Sequence, residues 1–386
     1  MRVLFHVQWL LGIGHLQRSL RIAEALVREG AAVTLACGGP LVPGVAIDPE
    51  VRRVQLPPVR ALDARFELVD ARGEPVCDEF RTVRRKALLA AFAEDAPDVV
   101  VVEGFPFARR AFAFELDPLI AAARAAGTRV ISSVRDVIVM RDDPQRHRAA
   151  IRRVREGFDA VLVHGDPNFI PFSASFPPAA EIADRLTYTG YVGNPAAPDG
   201  SVPAGEGVAG EVLVSAGGGA AGAALMRAAL AARRAGCLAD APWRLLAGMN
   251  LPERDFARLF DEAPAGVAIE RFRGDFATLL RRCRVSVSQC GYNTALDLVA
   301  ARAPAVLVPF AAENETEQLI RAEHLAARGA AVLVREAELS PASLGAAIER
   351  AANRPPRPLE IDTGGARRSA EIIAALASHG GQGMIA

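Results

Sequence analysis

Val285, Ser286, Val287 and Ser288, followed by Gln289, Cys290, Gly291, Tyr292, Asn293 and Thr294, form the stretch from which the architecture of this chain is read. The first four make a short apolar strand, and the polar residues after them lead into a helix. Gly291 lets the backbone turn sharply and lets a ligand come close. Asn293 or Thr294 is suited to cap the helix, whose early turns carry Asp297. Backbone N–H groups at such a helix start attract anions. A second strand, 305–309, follows Ala303 and Pro304, and its exit carries Glu313, Asn314, Glu315, Glu317 and Gln318. Two successive strand ends thereby present amide donors, a carboxylate and a polar cluster. In an open parallel sheet, that carboxyl edge is where nucleotides sit.

The same alternation extends in both directions. Around it lie strands at 211–215, 243–247, 267–270 and 331–334, and a turn at Gly217, Gly218 and Gly219 that opens an Ala-rich helix ending near 235. In the first half, the apolar run 3–7 meets a turn at Gly12 and Gly14. Leu16, Leu20, Ala23 and Val27 then share one helical face that stops at Gly30. Further strands are expected at 32–36, 51–56, 99–102, 130–133, 160–163 and 186–189, with helices near 82–93, 118–126 and 146–156. Strand, helix, strand repeated in this way predicts an α/β fold of doubly wound parallel sheets with right-handed crossovers. Gly, Pro and Ala crowd the aperiodic stretch between 190 and 210, which reads as a linker. The expected organisation is a Rossmann-like domain at 1–190, a linker at 191–210 and a second Rossmann-like domain at 211–386, facing each other across a cleft. A last helix, about 366–378, is placed to pack back on the first domain.

The length of 386 residues suits two cores better than one. With 45 basic and 45 acidic residues, the chain lacks the basic footprint of a nucleic-acid protein, so no nucleic-acid partner is expected. The excess of Arg and Ala reads as GC-rich codon bias. Five cysteines (Cys37, Cys77, Cys237, Cys283 and Cys290) are widely spaced, with no C-x-x-C, which favours neither disulfides nor zinc and fits a reducing cytoplasm. The apolar start, 3–11, is too short for a signal peptide or membrane span.

Gly12, Ile13, Gly14, His15, Leu16, Gln17 and Arg18 near the start, with Gly291, Tyr292, Asn293 and Thr294 through Gln318 near the end, resemble the GT-B glycosyltransferases. The resemblance is strongest to glycosyltransferase family 28, which includes the lipid II-forming N-acetylglucosaminyltransferase. It implies a bacterial, cytoplasmic and membrane-peripheral enzyme that moves a sugar from a nucleotide-diphosphate donor, a UDP-sugar, with inversion and without a metal or cofactor. The acceptor it implies is a small molecule or a lipid-linked one, held by the first domain. Carried over by position, Asp297 would hold the donor ribose, Gly217, Gly218 and Gly219 would face the diphosphate, and Glu317 and Gln318 would contact the donor sugar. Phe272 and Arg273 fall in the loop whose backbone reads the base. Glu317 stands where the lipid II enzyme has glutamine.

A hydroxyl attacking an anomeric carbon must lose a proton, and His15, at the end of the first strand, is the candidate base. A carboxylate is wanted behind it: Glu103, after the fourth strand in the usual order, or Asp136, after the next. The plainer alternatives are that His15 caps its helix and Glu103 its own loop. Gly14, Arg18 and His164 are candidate acceptor-side residues, although His164 equally begins a turn. His6 reads as a strand residue, and His147, His324 and His379 read as surface helix positions. No residues have metal-ligand spacing, and Asp142 with Asp143 before Pro144 reads as a turn. The segment 105–114 interleaves aromatics with arginines, which would suit a lipid-linked or aromatic acceptor or an anionic membrane surface; the plainer expectation is that its phenylalanines are core and its arginines solvated. Two rival functions share these residues: a nucleotide-sugar hydrolase using His15 on water, and a non-catalytic sugar-nucleotide-binding subunit.

Overall fold

The computed structural model describes residues 1–10, 13–42, 44–61, 67–139, 143–193, 209–217, 222–249, 251–311 and 316–378. The chain forms two compact units, Met1–Gly193 with Ile361–Ala386, and Asn194–Glu360.

The first unit runs β1 (Arg2–Val7), α1 (Gly14–Arg28), β2 (Ala32–Cys37), β3 (Val51–Gln55), β4 (Arg60–Ala61), β5 (Leu68–Val69) and α2 (Asp78–Asp95). It continues with β6 (Val99–Glu103), α3 (Ala113–Ala125), β7 (Arg129–Arg135), α4 (Pro144–Gly157), β8 (Ala160–His164) and β9 (Leu186–Tyr188). Seven parallel strands form one sheet in the order β3-β2-β1-β6-β7-β8-β9, while β4 and β5 make a small antiparallel pair. Val99, Val100, Val101 and Val102 are 0–1% exposed, because helices cover both faces of the central strand. Burial of each such side chain contributes about 1.5–3 kcal/mol before the ordering entropy is subtracted.

The second unit runs β10 (Val212–Ser215), α5 (Ala223–Arg234), β11 (Trp243–Leu246), α6 (Glu253–Glu262), β12 (Val267–Glu270) and α7 (Phe276–Arg282). After these come β13 (Val285–Ser288), α8 (Tyr292–Ala301), β14 (Ala305–Leu307), α9 (Glu317–Ala327), β15 (Val332–Leu333) and α10 (Pro341–Ala352). Its six parallel strands are ordered β12-β11-β10-β13-β14-β15. In each sheet the order reverses direction once, between β1 and β6 in the first and between β10 and β13 in the second. Loops leaving the strands on either side of such a switch point diverge and open a crevice at the carboxyl edge.

The final helix, α11 (Gly365–Ser378), belongs to the first unit and not to the second, so the second unit ends at Glu360 and not at 386. Its Ala370 and Ile373 join Leu16, Leu20 and Ala23 of α1 in one apolar cluster. The approach of α11 is pinned by backbone bonds: Tyr191 N donates to Asp362 O at 2.6 Å and Gly365 N to Tyr191 O at 3.1 Å. A Cβ on Gly365 would stand 2.4 Å from Gly190 O, so only glycine fits there. The aromatic segment 105–114 is core as expected, with Phe105, Phe107 and Phe112 buried. His147 is a correction: it is buried in α4, edge-on to Phe176 with ring centroids 5.4 Å apart, because it lies on the apolar face of an otherwise arginine-rich helix.

Candidate active site

At the switch point of the first sheet, α1 begins at Gly14 with Ile13 as its N-cap, and no side chain caps it. His15 and Arg18 are three residues apart and therefore share a helical face. Both reach Glu103, the last residue of β6, which is 1% exposed. His15 Nδ1 lies 2.7 Å from Glu103 Oε1, and Arg18 Nη2 donates to the same oxygen at 2.5 Å. An ionised carboxylate only accepts, so Nδ1 carries the proton and the ring's lone pair is on Nε2.

Burial would push the Glu103 carboxyl up, but the fields of His15, Arg18 and Arg109 and the bond from His15 outweigh it and hold it far below the usual carboxylate range. Desolvation lowers His15 to about 3, helped by Arg109 and Arg135 and opposed by Glu103. The ring keeps 18% of its side-chain surface exposed. It is a neutral imidazole at pH 7, with a carboxylate already in place to stabilise the imidazolium that proton uptake would create.

A buried network fixes the loop that precedes this pair. Arg84 Nε donates to Glu115 Oε2 at 2.6 Å, its Nη2 to Gln8 Oε1 at 2.6 Å, and its Nη1 to Gly38 O and Pro57 O at 2.8 and 2.7 Å. Gln8 in turn donates to Trp9 O and Val59 O, and its carbonyl accepts from Arg109 Nε at 2.9 Å. A Cβ at position 38 would lie 2.2 Å from Gln8 Oε1, so the close approach requires Gly38. Arg109 adopts a left-handed φ of 57°, which turns it towards β1.

At the switch point of the second sheet, Gly217 follows β10 with φ +64°, its N–H 3.4 Å from Ser215 Oγ. Gly291 is the N-cap of α8 and offers no side chain to the first-turn amides. Asn293 and Asp297 are four residues apart on one face of α8, both half-buried. Two positions away along the sheet, Phe272 in the loop after β12 is 67% exposed, and beside it Arg273 forms a two-point ion pair with Asp275 at 2.8 and 2.7 Å. Among the described residues, no group of three or more His, Cys, Asp or Glu side chains is arranged to hold a metal ion.

Residues 213–376 match the description of the glycosyltransferase family 28 C-terminal domain. The match takes in the second unit from β10 onward and runs on into α11 of the first. The UDP-N-acetylglucosamine–N-acetylmuramyl-(pentapeptide) pyrophosphoryl-undecaprenol N-acetylglucosamine transferase of Brucella canis is 32% identical over 124 residues, 28% of this chain and 33% of that one. The enzyme of the same description from Xanthomonas axonopodis pv. citri is 30% identical over 133 residues, 32% of this chain and 31% of that one. The matched stretch thus spans about a third of the length of these curated relatives. Over the whole chain the fold is that of solved GT-B glycosyltransferases. The calicheamicin glycosyltransferase superposes with a TM-score of 0.60 at 20% identity, covering 98% of this chain and 95% of that one. MurG of Acinetobacter baumannii gives 0.56 at 19%, covering 98% and 95%.

Several candidate residues have other engagements than the sequence suggested. Asp136 is buried and accepts from Tyr191 Oη at 3.1 Å, so the carboxylate set against His15 is Glu103. His164 ends β8 fully buried, with Nε2 2.7 Å from Ser133 Oγ and Nδ1 2.9 Å from Thr189 Oγ1. Thr189 gives its own proton to Gly190 O, so Nδ1 is the donor, and burial with the field of Arg18 lowers the ring to about 3. That ring is a neutral strut that joins β8 to β7 and to the residue after β9. Within the matched stretch, the cap of α8 is Gly291 and neither Asn293 nor Thr294, since Thr294 is already in the third helical position. Glu317 is 5% exposed and paired with Arg321 at 3.0 Å. Gly12, Gly218, Gly219, Glu313, Asn314, Glu315, Asp142 and His379 lie outside the described residues. Arg84, Arg135 and Arg321 went unnoticed as site-forming residues, and Arg109 stood out only as one of the arginines among the aromatics of 105–114. Arg321 left a signal in its i+4 spacing from Glu317.

Proposed function

We propose that this chain is a glycosyltransferase that moves a sugar from a nucleotide diphosphate, most simply UDP, to an acceptor hydroxyl, with inversion and without a metal. The observation that carries the reading is the His15–Glu103 pair: a neutral imidazole whose Nδ1–H is held by a buried carboxylate, with Nε2 left to take a proton. The acceptor oxygen attacks the anomeric carbon as its proton passes to Nε2. The bond from that carbon to the β-phosphate oxygen breaks, and the nucleoside diphosphate leaves with the electron pair. A single displacement of this kind inverts the anomeric centre.

Donor binding is assigned to the second unit. Asp297 is read as the ribose ligand, the turn at Gly217 and the first turn of α8 from Gly291 as the diphosphate cradle, with Asn293 and Thr294 beside it, and Phe272 with Arg273 as the edge that meets the base. The names of the Brucella and Xanthomonas relatives support a UDP-sugar donor and a lipid-linked acceptor. Peripheral association with a cytoplasmic membrane surface would fit such an acceptor. No helix among the described residues is long and apolar enough to cross a membrane.

The test is a panel of UDP-, dTDP- and GDP-sugars incubated with polyprenyl-phosphate-linked and small hydroxyl acceptors. Acceptor-dependent release of nucleoside diphosphate with a β-linked product from an α-linked donor is expected. Stoichiometric release of free sugar without any acceptor would instead make the chain a hydrolase.

A further inference from the structure

Resting on the donor assignment above, we propose that Glu317, Gln318 and Arg321 are positioning residues: they form a clamp that sets the pose of the Cys290–Gly291 turn and so governs affinity for the nucleoside diphosphate, not the choice of sugar. The three lie on the first turn and a half of α9, at i, i+1 and i+4. Gln318 Oε1 accepts from two backbone amides at once, Cys290 N at 3.1 Å and Phe310 N at 3.2 Å, and so ties the loop after β13 to the end of β14. Arg321 Nη1 donates to Cys290 O at 2.8 Å, and its guanidinium carbon lies 5.7 Å from the centre of the Tyr292 ring. Both polar groups of the Cys290 residue are therefore held from α9, immediately before the residue that caps α8. Glu317 completes the arrangement by accepting from Arg321 Nη2 at 3.0 Å, and the pair is almost wholly buried, at 5% and 1% exposure.

Glu317 gives Arg321 a counter-charge in this geometry. Arg321 is removed from water, and a buried guanidinium without a counter-charge is strongly unfavourable. Glu317 is thus an acid for reasons internal to the fold, which accounts for a negative charge so near a site read as binding a diphosphate. Because a cradle of backbone amides works only when its peptide planes are pre-set, loosening the clamp raises the ordering cost of every ligand that carries the diphosphate, whatever sugar is attached.

The test is calorimetric titration of wild-type protein, Gln318→Leu and Glu317→Gln with UDP, UDP-glucose, UDP-galactose and UDP-N-acetylglucosamine. Gln318→Leu is expected to weaken UDP and all three UDP-sugars by the same factor, about tenfold, and Glu317→Gln by a smaller common factor, with the ratio of UDP-sugar to UDP affinity unchanged. Hydrogen exchange should report lost protection at the Cys290 and Phe310 amides in Gln318→Leu, and thermal unfolding separates that local release from global loss of the fold. If Gln318→Leu does not fold, Glu317→Gln carries the same ratio test. UDP affinity left intact beside a loss confined to one sugar would overturn the clamp alone and return these residues to sugar contact. Wild-type protein that binds none of UDP, dTDP and GDP would overturn the donor assignment and the clamp with it.

Discussion

Between β1 and β6 the first sheet presents ionisable side chains: His15, Glu103, Arg18 and Arg109, drawn together with little access to water. Between β10 and β13 the second sheet presents backbone: the Gly217 turn, the Gly291 cap and the peptide of Cys290 held from α9. The two switch points are topologically alike, and the difference lies in what each is read to handle. Moving a proton requires a titratable group whose charge is set by its surroundings, so that site is made of ionisable residues sequestered from solvent. Gripping a diphosphate requires several oriented dipoles and close approach, so that site is made of amides and glycines.

Substitutions should therefore fail in different ways in the two units. The largest effect is expected from His15→Ala, which should lower turnover by about 10²–10⁴-fold with nucleotide affinity intact. Equal loss of nucleotide binding would mean that the two regions are not chemically separate. Acid stability comes next. His15 and His164 are both lowered to about 3 when folded, against 6.5 for an unperturbed ring. Between those values the unfolded chain binds more protons, so stability rises with pH from about 3 to about 6.5 and is level above, each ring contributing on the order of a few kcal/mol. Glu103, lowered in the fold, adds to the loss below its ordinary range near 4.5. Denaturant unfolding at about pH 7 and pH 4.5 should show a smaller pH difference for His164→Gln than for wild type. An undiminished difference would remove His164 from the account.

In the second unit the effects should appear as affinity. Asp297→Ala is expected to weaken nucleotide binding by about 1–3 kcal/mol. Calorimetry with UDP showing no change would reject Asp297 as the ribose ligand. The smallest effect is expected from Phe272→Ser. This side chain is 67% exposed, so folding should be unaltered within about 0.5 kcal/mol, while a ring that stacks on a base should cost about 0.5–1.5 kcal/mol of binding when removed. Comparing UDP with uridine-free pyrophosphate would locate the loss at the base.

Most of the fold was legible because most parallel strands are short apolar runs and several have a glycine close behind, as at Gly38, Gly104, Gly165, Gly217 and Gly291. The errors at strand ends are informative. Runs expected at 99–102, 130–133 and 160–163 extend in the structure to Glu103, Arg135 and His164. Hydropathy stops at polar residues, yet those residues keep strand geometry because their side chains find partners: Glu103 with His15 and Arg18, His164 with Ser133 and Thr189. Sequence pattern thus loses the strand where the candidate chemistry begins. The Glu103 assignment was reachable from strand order alone, whereas the choice against Asp136 depended on Tyr191, a contact 55 residues distant in the chain. The partner of Glu317 was hidden for a related reason. Spacing brought Glu317 to the right loop, and only packing shows that its carboxylate faces Arg321.

The return of α11 to the first unit has a consequence for biosynthesis. Ala370 and Ile373 fill the same apolar cluster as Leu16 and Leu20, on the helix that carries His15. A nascent chain emerging from the ribosome can wind all of β1–β9 and still lack one wall of that helix until the closing turns are translated. The intervening domain is synthesised, and free to collapse, while its elder neighbour waits half-finished. Shortening the chain before Gly365 should therefore injure the end made first.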